Sequence, residues 1–260
     1  MTLSPQGVEF LLPGKVVLVT GGSSGIGRAI ALASARAGAD IVLSYAVNRE
    51  GAEAAAAEIR ALGRGVEVVQ ADLSDTGAAT PLVERARARF GRVDAWINNA
   101  GADVLTRRGR DLSWTEKLDL LLEVDLRGTV LASWAAVEMM RNQPTGGAIL
   151  NMAWDHVSGG MEGQYAEIFC AAKGGVYSFS RALARTVAPQ IRVNVLGPGW
   201  VETAWGAELD GKTKQRIADS VPLRRWAAPE EIAAAAVFLA CDDANYITGQ
   251  MLTVNGGAVI

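Results

Sequence analysis

The sequence predicts an α/β fold: a doubly wound parallel sheet of about seven strands, sandwiched between helices in three layers. Three observations carry this prediction. Short β-branched runs alternate with Ala-, Leu- and Arg-rich stretches of helical period along all 260 residues. Most of the short runs are apolar throughout, as strands are when helices bury both faces of a sheet. No linker, repeat or low-complexity segment breaks the alternation, so residues 1–260 read as one domain.

In chain order, strands are expected at residues 15–20, 41–45, 66–71, 95–98, 148–152, 191–196 and 251–254. Helices are expected at 27–37, 50–62, 78–90, 115–141, 167–188 and 229–241. Pro229 followed by Glu230 and Glu231 marks a helix start, because proline suits the first position and acids suit the dipole. Strand–helix alternation implies right-handed crossovers. Residues 103–113 and 201–221 read as mobile loops.

Half of the residues are hydrophobic and a fifth are charged, which allows a large core and excludes a disordered or fibrous chain. The net charge is −3 and no block of Lys or Arg occurs, which argues against binding nucleic acid through its phosphates. Two cysteines, Cys170 and Cys241, cannot build a disulfide framework and fit a reducing cytoplasm. Residues 1–12 show neither a basic nor an apolar signal region, and no run of about 18 apolar residues offers a membrane span. A cytoplasmic protein with a small-molecule substrate is expected, with no nucleic-acid, membrane or metal site.

The first strand runs into Thr20-Gly21-Gly22-Ser23-Ser24-Gly25-Ile26-Gly27, and a helix follows at once. Glycines let the backbone turn tightly and approach a pyrophosphate, while the helix N-terminus offers its free N–H groups to the charge. Placed between a first strand and an apolar helix, this turn predicts nucleotide binding.

The motif resembles the TGxxxGxG of the short-chain dehydrogenase/reductase family, and further motifs of that family follow in order. Asp72-Leu73 is similar to the pair that contacts adenine. Asn98-Asn99-Ala100-Gly101 resembles the family's NNAG. Pro198-Gly199-Trp200-Val201-Glu202-Thr203 resembles its PGxVxT, whose Val and Thr positions flank the nicotinamide carboxamide. Ile247-Thr248-Gly249-Gln250 through Asn255-Gly256-Gly257 resembles its last strand. The resemblance spans residues 13–257. It implies a Rossmann-like domain that binds NAD(P) and assembles as a homodimer or homotetramer through its long helices. NAD-preferring relatives carry an Asp at the end of the second strand; Tyr45 stands there instead, with Asn48 and Arg49 following and Ser23 and Ser24 in the cradle. Arg49 offers a charge-assisted bond to a 2′-phosphate. NADP(H) is therefore expected over NAD(H).

At the catalytic positions the pattern breaks. The family places a Tyr four residues before a Lys on one helix, so that the ammonium lowers the phenol's pKa. Here Lys173 is kept, but Phe169 replaces the Tyr and has no proton to give. The family's Asn in the preceding long helix is Asp125, placed to hold a water beside Lys173 or to pair with it. The family's Ser falls on Trp154 when counted from the strand and on His156 when counted back from Phe169, because the loop is about two residues longer. His156 is the single histidine, and an imidazole titrates near pH 6.5, so it is the first candidate proton donor. Asp155 is the second and Tyr165 the third. Tyr165 could serve only if the chain there is not yet helical, since it lies eight residues before Lys173.

Trp154, Trp200, Trp205, Met161 and Phe169 are placed by the resemblance around the nicotinamide and under a substrate lid, which suggests a flat, bulky, apolar substrate of specialised metabolism. Trp96, Trp114, Trp134 and Trp226 read as structural. The function expected is hydride transfer between NADP(H) and an enone, a quinone-like or imine-like acceptor, or a carbonyl. The alternatives are a non-redox enzyme on the same fold (isomerase, dehydratase or cyclase) and a nucleotide-binding protein without turnover. Relatives that reduce conjugated C=C bonds also lack the usual Tyr.

Overall fold

In the computed structural model, which describes residues 11–260, seven parallel strands form one sheet in the order β3-β2-β1-β4-β5-β6-β7. The strands are β1 (Val16–Val19), β2 (Asp40–Tyr45), β3 (Val66–Gln70), β4 (Ala95–Asn98), β5 (Gly147–Met152), β6 (Ile191–Pro198) and β7 (Met251–Val254). Residues 1–10, part of the stretch read as lacking a signal region, lie outside the description. The strand order reverses at β1, which pairs with β2 on one side and β4 on the other. Such a reversal opens a crevice at the carboxyl ends of the strands.

The helices are α1 (Gly25–Arg36), α2 (Arg49–Ala61), α3 (Ala79–Phe90), α4 (Trp114–Leu121), α5 (Thr129–Arg141), α6 (Ala166–Val187), α7 (Ala204–Glu208), α8 (Gly211–Ser220) and α9 (Pro229–Ala240). They make two apolar layers, and β1 feeds both. Val17 and Val19 pack with α1, α2 and α9, whereas Val16 and Leu18 pack with α3, α5 and α6. This alternation across the pleat is why the strands read as apolar throughout. Beneath the crevice, Asn98 Nδ2 donates to Asn151 Oδ1 (2.8 Å) and Ser133 Oγ (3.0 Å), and Asn151 Nδ2 donates to Ser180 Oγ (2.9 Å). Buried amides with every partner in place fix β4 and β5 against α5 and α6.

Two expectations need correction. The stretch 115–141 is not one regular helix: α4 and α5 are joined by a π-helical turn, Leu122–Gly128. The segments 103–113 and 201–221 are not plain loops. The first holds a 3₁₀ turn, Arg107–Asp111, anchored by the buried Lys117, whose ammonium donates to the carbonyls of Val104 (2.6 Å), Arg110 (3.1 Å) and Gly109. The second holds α7 and α8, and the Asp210 side chain caps α8 by accepting from the N–H groups of Lys212 and Thr213. Among the described residues no helix is long and apolar enough to cross a membrane.

Candidate active site

The crevice begins where β1 turns into α1. Gly21 has φ +67°, and a Cβ there would come within 2.9 Å of the Ala100 Cα. At Gly27 a Cβ would lie 2.2 Å from the Gly21 carbonyl oxygen and 2.3 Å from Asn99 Nδ2. Only glycine fits either position without moving backbone. Thr20 Oγ1 accepts from the N–H groups of Asn99 and Ala100, both at 3.0 Å, and Asn99 Nδ2 donates back to the Thr20 carbonyl at 3.0 Å. The turns after β1 and β4 are thereby locked together. Ser24 makes no side-chain bond to α1, and the first turn, which includes Gly25, Ile26 and Gly27, holds no acid. The amides of that turn are left to an outside anion, so this cradle fits a dinucleotide pyrophosphate.

Along the edge from the cradle, Tyr45 ends β2 and is only 7% exposed, packed in the α1–α2 layer. No carboxylate stands between Ser44 and Asn48. The Asn48 oxygen accepts from the Gly51 N–H at 3.0 Å and caps α2, while Arg49 is exposed on the first turn of that helix. Close approach of Gly51 to the Ser23 carbonyl brings Ser23 beside the Arg49 turn. Asp72 Oδ1 accepts from the N–H and hydroxyl of Ser74, and Leu73 is buried beside it.

On the other flank, the π-helical turn presents Asp125 to two elements at once. Its Oδ2 lies 2.7 Å from Lys173 Nζ on α6, and its Oδ1 accepts the Ala102 N–H at 2.7 Å. Gly101 leaves room for that carboxylate, since a Cβ there would come within 3.1 Å of Oδ2. Lys173 Nζ also reaches the Met152 carbonyl at 3.4 Å. Asp125 is 2% exposed and the Lys173 side chain 12%, so the pair is shielded from water.

Lys173 opens into a cavity of about 340 Å³. Its walls include Ile26, Asn99, Pro198, Gly199, Val201 and Thr203 on the cradle side. The lining also includes all five apolar candidates: Trp154, Met161, Phe169, Trp200 and Trp205. Trp200 and Trp205 stack at 5.6 Å between ring centroids, with an interplanar angle of 21°. Trp226, read from the sequence as merely structural, packs on both at 5.5 and 5.8 Å and backs this wall. Trp96 is fully buried and bonds Asn98, while Trp114 and Trp134 stand largely exposed rather than in the core. Among the described residues, Lys173 is the only ionisable side chain lining the cavity.

The three candidate proton donors do not line it. Trp154 continues the extended path of β5 into the cavity, and the next residues fold into a short 3₁₀ turn, Asp155–Val157. That turn carries Asp155 under the Gly197–Gly199 backbone, where Asn255 Nδ2 donates to its Oδ2 at 3.1 Å. Burial there raises the carboxyl's pKa against the opposing pull of His156. His156 sits behind Trp154, edge-on at 4.9 Å, with Nε2 4.0 Å from Asp155 Oδ1 and a buried Nδ1 that has no partner. Tyr165 is indeed not helical, with φ +69°, but its ring turns outward onto Trp114 (4.5 Å) and lies 4.8 Å from the Lys117 ammonium. Cys170 is half-buried, and burial raises its thiol pKa. The sequence reading missed Gln164 and Leu105 on the wall. Gln164 lies in the lengthened loop, where no periodicity points a side chain anywhere.

A sequence profile described as enoyl-(acyl carrier protein) reductase matches residues 21–259. The 3-oxoacyl-(acyl-carrier-protein) reductase FabG of Escherichia coli strain K12 is 38% identical over 248 residues, covering 94% of this chain and 97% of its own. The chain belongs to the short-chain dehydrogenase/reductase family. Within that family the L-rhamnose 1-dehydrogenase (NAD(P)(+)) of Sphingomonas sp. strain SKA58 is 35% identical over 253 residues, covering 96% of this chain and 98% of its own. A Burkholderia cenocepacia J2315 short-chain dehydrogenase solved with NADP superposes with a TM-score of 0.85 at 32% identity, over 95% of this chain and 99% of that one. A metagenomic blue fluorescent protein solved with NADPH gives a TM-score of 0.85 at 31% identity, over 96% and 100%. As a short-chain dehydrogenase/reductase, this chain carries its family's oxidoreductase fold from the cradle to the last strand.

Proposed function

We propose that the chain is an NADP(H)-dependent reductase whose bulky apolar acceptor takes hydride without help from a phenol. The observation that carries this is the cavity itself: Phe169 and Lys173, four residues apart on α6, both line it, and among the described residues no carboxyl, phenol or imidazole does. When bound, the nucleotide supplies hydride at its nicotinamide ring. The cradle of Gly21, Ser23, Ser24, Gly25, Ile26 and Gly27 would hold the pyrophosphate. Asp72 and Leu73 would border the adenine, and Arg49 a 2′-phosphate beside Asn48 and Tyr45, where no acid opposes it. Asn99, Ala100, Gly101, Pro198, Gly199, Val201 and Thr203 would enclose the nicotinamide half. Two solved neighbours bound to NADP and NADPH support this choice of nucleotide.

Lys173 serves in this reading as a holder of the nicotinamide ribose rather than as an acid. Releasing its proton would strand the buried Asp125 carboxylate, and breaking such a pair costs about 3–5 kcal/mol. The FabG relative is named for a carbonyl substrate and the matching profile for an enoyl one. The localised alkoxide from a carbonyl would lack its proton donor in this cavity, which favours acceptors whose reduced form is a delocalised anion or a neutral amine: a conjugated C=C, quinone-like or imine-like acceptor. Titration calorimetry with NADPH and NADH, followed by acceptor screening at the NADPH absorbance, tests the reading. Tighter NADPH binding and acceptor-dependent loss of absorbance are expected. Substrate turnover with no net change in the nucleotide would replace it with a non-redox isomerase, dehydratase or cyclase.

Trp134, 56% exposed on α5, meets Phe179 of α6 edge-on at 6.5 Å. This apolar face favours pairing of these helices into a homodimer or homotetramer, and gel filtration at the mass of one chain would overturn that.

A further inference from the structure

We propose that the acceptor is a planar organic cation, an iminium, held against Trp154, Phe169, Trp200 and Trp205; the proposal rests on the reductase reading above. Three observations converge on it. The first is the missing acid. Hydride added to a ketone leaves an alkoxide, and hydride added to an enone leaves an enolate; each needs a proton, and among the described residues the cavity offers only the paired Lys173. An iminium needs none. Hydride bonds to its carbon, the C=N π pair becomes the nitrogen lone pair, and the product is a neutral amine. The reduced nucleotide of the proposed reaction is oxidised in the same step, so charge and electrons balance without the protein.

The second observation is charge. A lysine in the wall would ordinarily repel a cationic substrate, but Asp125 at 2.7 Å neutralises Lys173. Among the cations outside the tryptophan cluster, Lys214 pairs with Glu202 at 2.5 Å and Arg225 with Glu231 at 2.6 Å, while Arg224 donates to the Asp219 carbonyl at 2.7 Å. The third is the wall. Four aromatic rings line the cavity, and a desolvated cation over such faces gains attraction that a neutral ring of the same shape does not.

The test compares ligands of one shape and two charges on the full chain saturated with NADPH. N-methylisoquinolinium, a permanent cation, and isoquinoline, uncharged in mildly alkaline buffer, are titrated by calorimetry. The cation is expected to bind about tenfold tighter or more. Asp125→Asn exposes the Lys173 charge and should remove that preference, weakening the cation about tenfold while leaving isoquinoline unchanged. Trp200→Leu should erode it by a different route, through loss of an aromatic face. Equal or tighter binding of isoquinoline to the unaltered chain overturns the proposal, as does Asp125→Asn weakening both ligands alike. Failure of NADPH itself to bind would instead overturn the reductase reading, so the two failures are distinct.

Discussion

Lys173 Nζ and Asp125 Oδ2 stand 2.7 Å apart, and the second oxygen of Asp125 accepts the Ala102 N–H. One carboxylate thus joins α6, the π-helical turn and the loop after β4. Removing either charge leaves the other buried and alone. Asp125→Ala should lower unfolding stability by about 3–5 kcal/mol in urea titrations. A loss below about 1 kcal/mol would show that water already solvates the ammonium.

Phe169→Tyr places a phenol four residues before Lys173, on the wall where only a phenyl ring now stands. Ketone reduction at the NADPH absorbance should rise by about 10²–10⁴, the usual contribution of a positioned acid. No gain, with nucleotide binding intact, would mean that the hydroxyl cannot reach the acceptor.

His156 is not among the residues that line the cavity. Packed edge-on against Trp154 rather than lining the cavity, it is not placed to reach an acceptor, so His156→Ala should leave kcat within a few-fold. Its effect should fall on KM, through the tryptophan it supports. A drop in kcat of about 10² or more would return the imidazole to proton transfer.

Arg49 is exposed and free to meet a 2′-phosphate at the α2 end of the crevice. Arg49→Ala should narrow the preference for NADPH over NADH by about ten- to a hundredfold in calorimetry, the range of one charge-assisted bond. Stronger binding of NADH by the unaltered chain would reverse the reading of Tyr45.

Asp155 links stability to pH. Burial raises its pKa in the folded state, with His156 and Asn255 as the polar groups that face it. The native state therefore holds that proton more tightly than the unfolded chain. Asp155's contribution to stability is fully present below the ordinary aspartate value of about 4 and is lost as pH rises through the raised one. Asp155→Asn should abolish that fall, so that its Tm gains on the unaltered chain as pH climbs above about 4. Parallel Tm curves would contradict the burial argument.

Strand positions were legible because each strand is an apolar run between turn residues, and the crevice was legible because its glycines are sterically forced. Gly21 and Gly27 announce the close approach of Asn99 and Ala100. The loop after β5 was not legible in the same way. Whether Trp154 or His156 faces the cavity depends on a 3₁₀ turn that no periodicity marks, and only Trp154 keeps the direction of the strand. The packing of Trp226 on Trp200 and Trp205 was not legible, because these partners are distant from it in sequence. Helix α8 was hidden by its polarity, although Asp210 with Thr213 three residues on is a capping signal.

The π-helical turn has a consequence for helical phase. A π turn is an α-helix with one residue inserted, so Leu122–Gly128 sets α5 roughly 100° out of step with α4. Deleting a single residue from this turn would restore an unbroken helix. The buried face of α5, with Ala132, Ala136 and Met140, would still find the sheet, and Asp125 would swing away from Lys173. In this chain the electrostatics of the cavity hang on one surplus residue, so a one-residue deletion could undo the pair as surely as a substitution at Asp125.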